Sequence, residues 1–231
     1  MASNSSGERV TFPSNGNEAH GYLVQPSSGS GPGVIVIQEW WGLTDHIRDV
    51  SERLAAEGFV ALAPDLFGGR TTHDADEAEE MMGELPVDQA ARDLSGAVDY
   101  LLEQESVTSE RVGAVGFCMG GGFVIVLAAV AGDRVGAAVP FYGVLGEEYP
   151  DLSGIAAPVL GHFGEQDDFN PPDQARQLEQ SIREQAGVDV EFHFYDAGHA
   201  FFNDENHMGT YDAEKAETAW NRTLEFLRAN L

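Results

Sequence analysis

Val112-Gly113-Ala114-Val115-Gly116-Phe117-Cys118-Met119-Gly120-Gly121-Gly122, followed by the apolar stretch Phe123 to Ala131, sets a short apolar run directly against a glycine-rich turn and then a helical pattern. Within it Gly116-Phe117-Cys118-Met119-Gly120 is G-x-C-x-G at a strand-to-helix junction, the signature of a nucleophile elbow. Such an elbow holds its central residue in a strained backbone conformation, and its flanking residues are glycines because a Cβ there would strike the neighbouring strand and helix. The helix N-terminus favours negative charge on Cys118, and the Met119 N–H points toward an oxyanion formed on a substrate carbonyl. The alternative is an inert buried cysteine in a packing turn, as free cysteines commonly are. A dinucleotide loop is excluded because the G-x-G-x-x-G spacing is missing, and a P-loop because no Lys-Ser/Thr follows.

Working outward, Val34 to Ile37 is a β-branched run too short for a helix, the pattern of a strand buried on both faces. Comparable runs recur at Phe59 to Ala63, Val112 to Val115, Val135 to Val139 and Val159 to Phe163, with a more polar one at Val190 to Tyr195. Between and after these six strands, helical spacing covers Asp45 to Glu57, Val87 to Glu103, Phe123 to Ala131, Pro172 to Ala186 and Ala213 to Leu227. Strands alternating with helices predict crossover units: an α/β fold with a mostly parallel central sheet and helices on both faces. Its reactive groups are expected outside the carboxyl ends of the strands. The 231 residues fit one domain, with residues 1–7 a loose N-terminus and Ser27 to Gly31 a loop rather than a domain linker.

Thirty-nine acidic residues against 12 basic ones give a formal charge of −27, which repels a nucleic-acid backbone and excludes DNA and RNA as partners. The acids are spread along the chain, as on a surface adapted to concentrated salt, so a halophilic source is expected. Phe123 to Ala131 is far too short to span a bilayer, which takes roughly 20 residues. The single cysteine and the absence of a charged-then-apolar leader imply a cytoplasmic protein.

Three more strand ends carry chemistry-bearing residues. His199, in Asp196-Ala197-Gly198-His199-Ala200-Phe201-Phe202, follows the last strand, and an imidazole of ordinary pKa about 6.5 suits a general base. After Phe163, Gly164-Glu165-Gln166-Asp167-Asp168 offers two carboxylates to orient that histidine, before a helix that Asn170 can cap and proline can open. The order nucleophile, acid, histidine is that of the α/β-hydrolases. Gln38-Glu39-Trp40-Trp41-Gly42 follows the strand whose exit loop supplies the second oxyanion N–H, assigned to Trp40. A carboxylate after a buried strand is costly without a partner, so Glu39 is either functional or a hydrogen-bonded structural group.

Gln38-Glu39-Trp40-Trp41-Gly42, Pro64-Asp65-Leu66-Phe67, Gly116-Phe117-Cys118-Met119-Gly120-Gly121, Gly164-x-x-Asp167 and Gly198-His199-Ala200-Phe201 together closely resemble the dienelactone hydrolase family, over nearly the whole chain. The resemblance implies hydrolysis of a small carboxylic ester or lactone through Cys118, His199 and Asp167, the last preferred to Asp168 by the family pattern, with no metal or organic cofactor. It also implies that Glu39 pairs with the resting thiol and takes its proton when substrate displaces it, so that the empty enzyme alkylates slowly. The chain departs from the family where arginines grip an anionic substrate: Asn203 stands at one such position. No arginine lies between Arg70 and Arg92, and six acids fill Asp74 to Glu84, read as a salt-adapted surface helix. Trp41, Arg70, Phe169, Phe201 and Asn203 are the candidate pocket residues. A non-catalytic member of the fold that binds a ligand or partner is the competing expectation.

Overall fold

The computed structural model describes residues 7–14, 16–145 and 151–231. Its centre is an eight-stranded sheet in the order β1-β2-β4-β3-β5-β6-β7-β8. The strands are β1 (Glu8–Ser14), β2 (Asn17–Val24), β3 (Gly33–Ile37), β4 (Val60–Pro64), β5 (Val112–Phe117), β6 (Val135–Phe141), β7 (Val159–Gly164) and β8 (Val190–Tyr195). β3 to β8 run parallel to one another, as the six apolar runs predict. β1 and β2 form an antiparallel hairpin on β4 that the sequence reading omits. The expected loose start lies outside the described residues except for Gly7, whose N–H donates to the Tyr22 hydroxyl at 3.0 Å.

The helices are α1 (Asp45–Ala56), α2 (Ala75–Gly83), α3 (Val87–Leu102), α4 (Met119–Ala131), α5 (Pro172–Ala186) and α6 (Ala213–Asn230). Alternation along β3 shows how the layers arise. Ile35 and Ile37 pack with α3, α4 and α5 on one face, whereas Val34 and Val36 pack with α1 and α6 on the other. All five side-chain positions of β3 are buried, which is why its sequence is continuously apolar. Asp74 caps α2 by accepting from the Glu77 N–H at 3.0 Å, so the acid-rich segment is indeed a helix. α4 starts at Met119 rather than Phe123, and its glycines are helical. A Cβ on Gly120 would lie 2.4 Å from the Gln38 carbonyl oxygen, so the exit of β3 and the first turn of α4 touch through bare backbone. Among the described residues no helix is long and apolar enough to cross a membrane.

Candidate active site

Cys118 sits between β5 and α4 with φ 53° and ψ −121°, a conformation unfavourable for any residue with a Cβ. Hydrogen bonds hold it there: its N–H donates to the Phe141 carbonyl at 3.0 Å, and its own carbonyl accepts from Gly121 N–H at 2.9 Å. The flanking glycines are required as expected, since a Cβ on Gly116 would come within 2.2 Å of the Gly120 carbonyl oxygen.

His199, at the exit of β8, turns Nε2 to Cys118 Sγ at 3.2 Å and Nδ1 to Asp167 Oδ2 at 2.8 Å. Asp167, at the exit of β7, is fixed in turn, because its Oδ1 accepts from the N–H groups of Phe169 at 2.9 Å and Asn170 at 2.8 Å. Asp168 is exposed, so of the two aspartates Asp167 is the one that reaches the histidine. Burial works against a charge on His199, but the negative charge of Cys118 and the hydrogen bond to Asp167 outweigh it and push the imidazole up to about 10. Among the described residues, neither the Trp40 N–H nor the Met119 N–H makes a hydrogen bond within the protein. Both residues line the cleft that Cys118 and His199 share.

Glu39 is buried, with Oε1 accepting from the Tyr142 hydroxyl at 3.2 Å and Oε2 from Asn203 Nδ2 at 2.5 Å. The resting pair of Glu39 and thiol implied by the resemblance is therefore not the arrangement here: both carboxylate oxygens already have donors, and the sulfur faces His199. Tyr142 escaped the sequence reading. It is fully buried at φ 37°, directly after β6, and lies edge-on to the His199 ring with centroids 5.2 Å apart. Burial, then the charges of Glu39 and Cys118, hold its phenol well above its ordinary pKa, so it remains a donor. The signal was available, because Pro140-Phe141-Tyr142-Gly143 stands at a strand exit like the others. Asn170, expected to cap α5, instead donates to the Tyr142 carbonyl at 3.0 Å and accepts from Val144 N–H at 3.2 Å.

The cleft beside Cys118 has a volume of about 780 Å³. Its walls include Met82, Leu85, Pro86, Val87, Phe123 and Phe169, with Glu79 at the rim. Phe169 is 61% exposed, and its ring lies 5.2 Å from that of His199. The other candidate pocket residues do not line this cleft. Phe201 is wholly buried against Tyr142 and Tyr195 in the core. Arg70 turns outward to Glu84 at 2.7 Å. Trp41 and Asn203 line a separate small recess.

A family model described as the dienelactone hydrolase family matches residues 19–231. The chain is 35% identical to "Protein usf" of Aquifex pyrophilus over 97% of its own length and 99% of that protein's. It is 32% identical, over the same shares, to a protein of Aquifex aeolicus (strain VF5) provisionally named a carboxymethylenebutenolidase. A crystal structure from Klebsiella pneumoniae subsp. pneumoniae, provisionally named a dienelactone hydrolase, superposes with a TM-score of 0.86 at 31% identity, covering 96% of this chain and 98% of that one.

Proposed function

Because the chain belongs to the dienelactone hydrolase family, with its α/β-hydrolase fold, and is therefore a hydrolase, we propose that it cleaves a small, uncharged carboxylic ester or lactone through Cys118, His199 and Asp167. The observation that carries this reading is the continuous line from sulfur to imidazole to carboxylate, 3.2 Å and 2.8 Å, at the strained elbow.

In the first step Cys118 sulfur, its proton resting on His199, attacks the substrate carbonyl carbon and a C–S bond forms. The oxyanion is met by the N–H groups of Met119 and Trp40. Collapse breaks the C–O bond, and the alkoxide leaves with the proton from His199 Nε2. Water then attacks the acyl-thioester, giving a proton to His199 as its oxygen bonds to the carbonyl. The C–S bond breaks, the acid departs, and the thiolate–imidazolium pair is restored. Asp167 keeps Nδ1–H directed toward itself, so that Nε2 is the nitrogen exchanging protons with sulfur, alkoxide and water. Glu39, held by Tyr142 and Asn203, fixes the exit of β3 from which the Trp40 N–H is offered.

The charge of the cleft supports the uncharged substrate. Among the described residues, its lining holds Glu79 and no lysine or arginine. An anionic dienelactone meets like charge there.

The test is hydrolysis of neutral short-chain esters beside dienelactone in molar potassium chloride, with wild type and Cys118→Ala. Neutral esters should be cleaved with a kcat/KM at least about tenfold higher, a difference of about 1.4 kcal/mol, and Cys118→Ala should abolish turnover. Turnover that survives the substitution would refute the thiol mechanism, and a preference for dienelactone would refute the substrate class.

A further inference from the structure

Outside the cleft, His73, Glu205 and His207 converge from two loops. One loop connects β4 to α2, and the other follows His199 on the way to α6. One ligand-capable atom from each of the three lies within 4.8 Å of the others. The two imidazole rings stand 4.2 Å apart, centroid to centroid, and Trp41 packs near both, at 6.5 Å from His73 and 6.2 Å from His207. Glu205 Oε2 is buried and accepts no hydrogen bond, although His207 Nε2 is 3.3 Å away. A buried carboxylate oxygen without a donor is costly, and a cation is what commonly relieves it.

We propose that His73, Glu205 and His207 bind a transition-metal ion, with Zn²⁺ as the reference member of the class. Two imidazoles and one carboxylate suit zinc and its first-row neighbours, whereas magnesium and calcium prefer all-oxygen shells. Metal–ligand bonds of about 2.1 Å at a tetrahedral centre place ligand atoms about 3.4 Å apart. The Glu205–His207 separation already meets that spacing, and His73, on an exposed loop, needs only a small movement to complete it. Three protein ligands leave a fourth position for water. No spacing in the sequence announces the site, because His73 is remote in the chain from the other two.

The surroundings give the ion a structural consequence. The Glu205 N–H donates at 3.0 Å to Asn203 Oδ1, the same residue whose amide holds Glu39. His207 adjoins Met208, and His73 adjoins Asp74, the cap of α2; Met208 and the α2 residues Glu79 and Met82 line the Cys118 cleft. A bound ion therefore clamps two walls of the cleft to each other and takes no part in the bond-breaking step.

Zinc also binds free thiols, so the experiment starts from Cys118→Ser, stripped with a chelator and then dialysed against micromolar zinc chloride with excess magnesium to occupy surface carboxylates. About one zinc per chain should be retained, and zinc should raise Tm. Adding His73→Gln or His207→Gln should weaken binding at least about tenfold and remove the zinc-dependent rise, while the metal-free Tm of each variant reports that it folds. Failure of Cys118→Ser to retain zinc overturns the proposal, as does retention that neither histidine substitution alters.

Discussion

Asn203 and Glu39 are joined by a hydrogen bond of 2.5 Å between side chains 164 residues apart in sequence. The position that the family resemblance associates with an arginine thus carries a neutral amide that anchors a buried carboxylate. Asn203→Ala should lower the free energy of unfolding by about 2–3 kcal/mol, the cost of taking a donor from a buried charged acceptor. Asn203→Asp should cost more at neutral pH, since two carboxylates would then face each other, and should recover on acidification. Urea unfolding at two pH values in molar salt measures both. An unchanged midpoint for Asn203→Ala would mean that Tyr142 alone satisfies Glu39.

Gly143 lies against the elbow. A Cβ there would sit 2.0 Å from the Cys118 carbonyl oxygen and 2.6 Å from the Gly122 nitrogen, both backbone atoms of the segment that positions the sulfur. Gly143→Ala must displace main chain, at a cost of about 1–3 kcal/mol. A displacement near 1 Å at the nucleophile should lower kcat roughly 100-fold. Parallel measurement of Tm and kcat on a neutral ester checks this; full activity in a folded variant would show that the elbow tolerates the shift.

The proton on His199 gives stability a particular pH dependence. The imidazole rises from about 6.5 in an unfolded chain to about 10 in the fold. The folded state therefore binds this proton more tightly, and the contribution is complete below about pH 6.5 and lost as pH rises through about 10. The stability gap between wild type and His199→Gln should accordingly narrow between about pH 7 and about pH 10. Unfolding midpoints across that range test it, and a gap that widened with pH would contradict a raised imidazole.

With a net charge of −27, self-repulsion should destabilise the fold in dilute buffer. The screening length falls from about 10 Å at 0.1 M salt to about 3 Å at 1 M. If screening relieves about 3 kcal/mol, Tm rises by roughly 6–12 °C for a chain of this size. Calorimetry in potassium chloride from dilute to molar measures the rise; a flat profile would show that the acidic surface carries no salt requirement.

The sequence disclosed those parts of the fold that are buried on both faces. β3 to β7 read as apolar runs because every position in them is buried, whereas β8, at the far edge, reads as a more polar run with Glu191 exposed. β1 and β2, at the sheet edge, bury only some of their positions, and Glu8, Arg9, Glu18 and His20 interrupt any such run. The glycines of α4 read as a turn because helix propensity disfavours them, yet close contact of Gly120 with the end of β3 and of Gly121 with the end of β6 makes those two obligatory. Cys118, His199 and Asp167 were legible because each follows a strand end, where the fold concentrates its polar chemistry. The pocket was not. Phe201 and Phe169 look alike as letters, and only packing sends one to the core and the other to the cleft. Tyr142 and Asn203 owe their places to a carboxylate far away in the chain, a relation no local pattern encodes.

Much of the cleft wall comes from one stretch, Glu79 to Val87, spanning the end of α2, its connection to α3 and the first residue of α3. The reactive groups come from other parts of the chain, at the exits of β5, β7 and β8. Substrate preference and bond-breaking are therefore written in separate segments. A lineage can exchange or lengthen this stretch, and so acquire a taste for different acyl groups, while the strand ends keep their geometry. The same separation makes it a natural target for library mutagenesis directed at selectivity.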